Sequence, residues 1–213
     1  MPDTPRVDFW FDPFCPWAWI TSRWIVEAKQ TRDIDVSFHL MSLAVLNEGD
    51  LPTQLDDPQM LTKVWTPVRV AMAVERVAGP TGLSAFYTAV GTRIHHSGNK
   101  EFGDLLKHDF DEIVTDALRD VDLPLELAQA AGSTEYDDDL RASTADGVNA
   151  EGAIAGTPTL HINGVAVFGP VLSRIPRGEQ AGALWDAVLT FASHPLFWEI
   201  KRAQPDDLRP QVA

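Results

Sequence analysis

The stretch Val7-Asp8-Phe9-Trp10-Phe11-Asp12-Pro13-Phe14-Cys15-Pro16-Trp17-Ala18-Trp19 decides how this chain folds. Val7, Phe9 and Phe11 alternate with their neighbours, and that period of two predicts a first strand. Asp12-Pro13-Phe14 breaks it. A helix is predicted to begin near Cys15-Pro16, because proline is preorganised for the first helical position. It runs to about Lys29, with Trp17, Ile20, Trp24 and Ala28 along one face. Asp35 to Leu40 alternates again and predicts a second strand. Strand, helix, strand makes a βαβ unit with a parallel pair.

The pattern resumes near the C-terminus. Thr159 to Ile162 and Val165 to Phe168 are short apolar strands joined by Asn163-Gly164. Both central residues of a type I′ turn need positive φ, so Asn-Gly predicts a hairpin. Gly169-Pro170 ends it, and a final helix is predicted from Gly178 to about Arg202. The tail from Gln204 is expected to be loose. Between the two halves no strand pair is evident. Ser42 to Leu55 reads as a loop. Pro58 to Val77 reads as a helix that Pro67 kinks or restarts, and Gly79-Pro80 ends it. Leu83 to Ile94 and Phe102 to Leu118 read as further helices, the latter with Leu105, Leu106, Phe110, Ile113, Val114 and Ala117 on one face. Pro124 opens a short one to about Ala131, and Ser133 or Thr134 caps another reaching about Gly147. The expected class is α/β. A discontinuous domain of residues 1–41 and 156–213 (β-α-β … β-β-α) flanks a helical insertion, residues 42–155.

The 213 residues include 17 Lys and Arg against 31 Asp and Glu, a net charge of -14. Nucleic acid and anionic membranes are therefore poor partners, since both require a positive footprint. No stretch approaches the ~18 consecutive apolar residues of a membrane span. No targeting segment is evident, and the cytoplasm is the expected location. There is one cysteine, so no disulfide forms within the chain and a Cys-rich zinc site is excluded. No phosphate loop or dinucleotide fingerprint appears, so no tightly bound flavin or NAD is expected.

That cysteine, Cys15, lies between a strand and a helix. Unpaired N–H groups and the positive dipole end at a helix N-terminus favour a thiolate. A thiolate is both nucleophile and leaving group in disulfide exchange. The bland alternative is a buried structural thiol. Gly156-Thr157-Pro158-Thr159 precedes the hairpin, where Pro158 is either a cis proline or a plain strand-starting one.

Together these features resemble the thioredoxin fold of the DsbA-like family. The finer pattern resembles the actinobacterial mycothiol-dependent nitroreductases. It comprises Asp8-Phe9-Trp10-Phe11-Asp12-Pro13, Trp17-Ala18-Trp19-Ile20-Thr21-Ser22-Arg23-Trp24 and Phe168-Gly169-Pro170-Val171-Leu172-Ser173-Arg174-Ile175-Pro176. The resemblance implies that Cys15 attacks, that Pro158 faces it in a cis loop, and that Thr157 offers backbone groups on which a thiol substrate aligns. Ala18 stands where the dithiol pattern has a second cysteine. The implied chemistry is a monothiol cycle with a small thiol such as mycothiol, reducing mixed disulfides or nitro-aromatic compounds.

Pro16 and Trp17 follow Cys15 directly, and Trp17 is a candidate substrate platform. Asn47 lies after the second strand, at the end where α/β sheets place ligands, although a loop Asn is often a turn residue. His95 is a candidate donor to the thiolate, against the alternative of a favourable charge near a helix C-terminus. The adjacent pair His95-His96 lacks the spacing of a zinc pair. Asp137-Asp138-Asp139 reads as a solvated face, and no metal site is expected. Leu196, Phe197 and Trp198 near the chain's end offer an apolar face to the sheet or to a second copy. Two other functions compete. One is a transferase or isomerase resembling kappa-class glutathione transferases and 2-hydroxychromene carboxylate isomerases, which activate a bound thiol. The other is a binding module without turnover.

Overall fold

The computed structural model describes residues 4–48, 58–96, 107–148, 156–203 and 210–211. Strand β1 (Arg6–Phe11) is followed by helix α1 (Pro16–Ala28) and strand β2 (Asp35–Leu40). β1 and β2 pair in parallel, with Phe9 opposite Phe38 and Phe11 opposite Leu40. Strands β3 (Thr159–Ile162) and β4 (Val165–Phe168) complete an antiparallel hairpin on the other side of β1. The sheet order is β2-β1-β3-β4. Asn163 and Gly164 have φ of 51° and 86°, as a type I′ turn requires. Asn163 also accepts the Arg6 N–H at 2.9 Å, tying the hairpin to the start of β1.

Alternation places the side chains of β1 on both faces of the sheet. Val7, Phe9 and Phe11 are fully buried, and the Phe11 ring stacks 3.7 Å from that of Tyr87. Trp10 points the other way, between His39 and His161, and its indole N–H donates to the Ser143 carbonyl at 3.0 Å. Trp24 of α1 packs beside Trp185 and donates to the Ala181 carbonyl of helix α6 (Glu179–Ala192). α1 is therefore held between sheet and α6, which fixes the position of Cys15 at its N-terminus.

Several helix boundaries depart from expectation. Within Ser42 to Leu55, the short helix α2 (Leu43–Leu46) forms because Ser42 accepts the Val45 N–H; residues 49–57 lie outside the described ones. Helix α3 spans Pro58–His95 and passes through Pro67, where a kink or restart is expected. The break comes at Gly79, with φ of 65°, where Gly79-Pro80 is expected to end the helix. Buried Val64, Trp65 and Val68 hold the chain helical around Pro67 despite its missing N–H. Pro80 then opens the second part, where proline suits a first turn. Helix α4 (Phe110–Asp120) starts later than Phe102, because Asp109 accepts two N–H groups as its cap; residues 102–106 lie outside the described ones. A 3₁₀ helix covers Leu125–Gly132. Helix α5 (Asp137–Gly147) is capped neither by Ser133 nor by Thr134; Ser133 spends its hydroxyl on the Glu135 N–H.

α6 ends at Ala192, not near Arg202. Pro195 disfavours helix in the residue before it. Phe197 stacks on Phe191 at 4.7 Å, while Leu196 and Trp198 are exposed. The acidic run is no solvated face. Asp137 is buried and accepts two bonds from Arg69, at 2.8 and 2.7 Å, and Asp139 pairs with Arg76. Asp138 alone fits the solvated reading. No described helix is long and apolar enough to cross a membrane.

Candidate active site

Cys15 is the N-cap of α1, with Pro16 in the first helical turn. Its sulfur accepts the Ala18 N–H at 3.4 Å, so the thiol itself satisfies one of the helix's free amides. The thiol donates to the Thr157 carbonyl at 3.5 Å. The Thr157–Pro158 peptide is cis. That loop therefore lies against the sulfur. The Gly169–Pro170 peptide is cis as well, where the sequence pattern marks only the end of the hairpin. Gly169 donates to the Pro158 carbonyl at 2.9 Å, and Thr21 of α1 donates to the Pro170 carbonyl at 2.7 Å. The two proline loops and α1 thus form one hydrogen-bonded unit.

The thiol's protonation differs from expectation. A helix N-terminus favours a thiolate, yet Cys15 is only 5% exposed. Burial pushes the thiol up; the Ala18 amide works against this and the Asp12 carboxylate adds to it. Desolvation outweighs the helix terminus here.

Trp17 is half-buried beside Cys15 and packs against the core. His95 is buried and its Nε2 lies 3.0 Å from the Pro13 carbonyl. Burial lowers its pKa to about 3, so the ring is neutral and Nε2–H is the donor. It offers no charge to the helix C-terminus. It braces the Cys15 loop through Pro13, and its ring stacks on Trp19 at 5.6 Å. His96 is exposed and accepts the Trp19 indole N–H at 3.3 Å. Asn47 ends α2 and donates to the Leu43 carbonyl at 2.6 Å. Among the described residues no cluster of three or more His, Cys, Asp or Glu is arranged to hold a metal ion.

Trp19 depends on Gly91. A Cβ at Gly91 would overlap the six-membered ring of Trp19, itself buried in the core. Gly91→Ala is expected to destabilise the fold by about 1–3 kcal/mol, read as a lower urea midpoint at unchanged slope. No periodic pattern in the sequence marks this contact. Asp12 reads in sequence as part of a break, although a carboxylate ending an apolar strand three residues before the cysteine is a signal.

The family model of the mycothiol-dependent nitroreductase Rv2466c matches residues 14–202. The chain belongs to that family. It is also 32% identical over 200 residues to the uncharacterized protein Rv2286c of Mycobacterium tuberculosis, covering 92% of this chain and 81% of that one. Among solved structures it is similar to the cytosolic disulfide reductase DsbM from Pseudomonas aeruginosa with GSH. The TM-score is 0.52 at 17% identity, covering 87% of this chain and 99% of the other. It is similar also to oxidised Mtb DsbA, with a TM-score of 0.51 at 16% identity over 86% and 93% of the two chains. At such identities these structures show the DsbA-like thioredoxin fold alone. Family membership supports a thiol-dependent redox function.

Proposed function

We propose that the chain is a monothiol oxidoreductase in which Cys15 exchanges with a low-molecular-weight thiol of the mycothiol type. The observation that carries this is the placement of its one thiol. The thiol sits at a helix N-terminus and bonds directly to the cis-proline loop. The Cys15 thiolate attacks a mixed disulfide, an S–S bond to Cys15 forms, and the substrate's own S–S bond breaks as a thiolate departs. An external thiol then attacks the Cys15 adduct, leaving a small disulfide and regenerating Cys15. For a nitro-aromatic acceptor the same cycle balances as one nitro group and two thiols giving nitroso, disulfide and water. In this reading Thr157 and Pro158 align the incoming thiol, and Pro16 and Trp17 line its approach. Asn47 and His95 act from behind, holding α2 and the Cys15 loop. The acceptor is a small electrophile or disulfide, and no tightly bound cofactor takes part.

A second reading has one observation in its favour. A thiol pushed up by burial is a poor resting nucleophile, which suits a site that activates a cosubstrate's thiol instead, as in the kappa-class transferases and related isomerases. That reading yields a thioether, or an isomerised substrate, without disulfide.

Intact-mass analysis after exposure to oxidised mycothiol, and separately to oxidised glutathione, tests the first reading. A single adduct on Cys15, released by excess thiol, is expected with mycothiol. No adduct with either disulfide would discard the monothiol cycle.

A further inference from the structure

Arg23 follows Cys15 along α1, with Trp19 midway between them. Residues four apart share a helix face, so thiol, indole and guanidinium form one stripe. The guanidinium carbon stands 4.5 Å from the centre of the Trp19 ring and 5.6 Å from that of Tyr87. Its Nε donates to the Ser22 hydroxyl at 3.3 Å, and Nη1 to the Thr88 hydroxyl of α3 at 3.0 Å. All of these partners are neutral. The other described arginines either pair with a carboxylate or stand exposed. Arg23 is half-buried and, among the described residues, has no carboxylate partner. In a chain with 31 Asp and Glu against 17 Lys and Arg, such a cation is out of pattern. The rings attract the charge and do not neutralise it. Burial lowers the Arg23 pKa, and burial also keeps the Tyr87 phenol protonated.

His96 supplies a second donor at the same place. It is exposed, just past the end of α3, and its Nε2 accepts the Trp19 indole N–H at 3.3 Å. Burial, followed by the charges of Arg23 and Arg177, lowers its pKa, so the ring is neutral at pH 7. With Nε2 accepting, the proton of the neutral ring sits on Nδ1. Arg177 pairs with Glu27 of α1. Arg23 spends one N–H of Nε and one of Nη1 on its neighbours, and a guanidinium has five, so three are left.

We propose that Arg23 and His96 form a subsite for a carboxylate carried by the acceptor. The planar fork of a guanidinium matches a carboxylate, and a charge held by a half-buried group counts for more than one in water. One uncompensated charge beside a neutral donor suits a monoanion better than a phosphate dianion. The Trp19 N–H donates to the Cys15 carbonyl at 3.0 Å, one helical turn with a rise of about 5.4 Å. Because the Arg23 guanidinium lies back over Trp19, it stands about one turn along the helix from the thiol. An aromatic ring with substituents at opposite ends spans that separation, so a carboxylate held there brings the far substituent toward Cys15. What the bound acceptor then undergoes rests on the reading of Cys15 as the nucleophile; the binding itself does not.

Isothermal titration with 4-nitrobenzoate and with 4-nitrobenzamide, which has the same shape without the charge, tests the subsite with no thiol present. The wild-type chain is expected to bind the benzoate about tenfold more tightly than the amide, as hydrogen bonds to a charged group imply. Arg23→Gln is expected to abolish that preference and to leave the amide's affinity unchanged. His96 is exposed, so His96→Gln tests the site even where Arg23→Gln fails to fold. That variant is expected to bind the benzoate about threefold more weakly, the effect of one neutral hydrogen bond. A wild-type chain indifferent to the charge, a folded Arg23→Gln chain that keeps the preference, or a His96→Gln chain with unchanged affinity would each overturn the proposal. None of these results bears on the Cys15 adduct, and a missing adduct would leave the carboxylate preference measurable.

Discussion

Cys15→Ser is expected to lower mycothiol-dependent turnover by about a thousandfold or more while leaving the fold intact. The two halves of that outcome come from different parts of the site. Structurally, serine is among the best N-cap residues. Its hydroxyl can accept the Ala18 N–H and donate to the Thr157 carbonyl, the two bonds the thiol makes now. Thermal unfolding is therefore expected to be unchanged or slightly raised. Chemically, a hydroxyl does not ionise near neutral pH and does not take part in disulfide exchange. Steady-state turnover with mycothiol, beside an unfolding curve, separates the two effects. A folded serine variant with full thiol-dependent turnover would remove Cys15 as nucleophile and favour a site that activates the cosubstrate's thiol.

What the sequence makes legible is whatever is decided locally. The period-two pattern of Val7, Phe9 and Phe11 marks β1, and Asn163-Gly164 dictates its own turn, so these elements fall where expected. Pro16 after Cys15 marks the helix start, and the thiol takes the cap. Contacts made by packing are not legible in this way. Nothing near Gly91 announces that Trp19 lies across it. Asp12 reads as a turn residue because its amide partner on α2, Leu43, is distant in sequence and adjacent in space. The thiol's protonation fails for the same reason: the helix terminus is visible in sequence, and the burial that outweighs it is not. Asp137 resembles its exposed neighbours by type, yet Arg69 draws it into the interior.

Ala18→Cys is expected to shorten the life of a Cys15–mycothiol adduct by on the order of 10²-fold or more in the absence of added thiol. Ala18 lies three positions after Cys15, and its N–H already reaches the sulfur at 3.4 Å. Side chains at that spacing on a helix are neighbours, about 5–6 Å apart at Cβ, a separation within which modest adjustment allows a disulfide. A thiol introduced there attacks the adduct intramolecularly, at an effective concentration no millimolar cosubstrate matches. Ala18 is fully buried, so the added sulfur also crowds the core and some loss of stability accompanies the change. Intact mass over time distinguishes the outcomes. The variant is expected to lose the adduct and finish lighter by its two thiol hydrogens, as an internal disulfide. The native chain is expected to keep the adduct until an external thiol arrives. If the native adduct decays equally fast with no thiol added, the resolving step does not need a second molecule and the monothiol cycle is wrong. In the proposed cycle, the alanine at position 18 is thus the residue that makes the partner thiol obligatory.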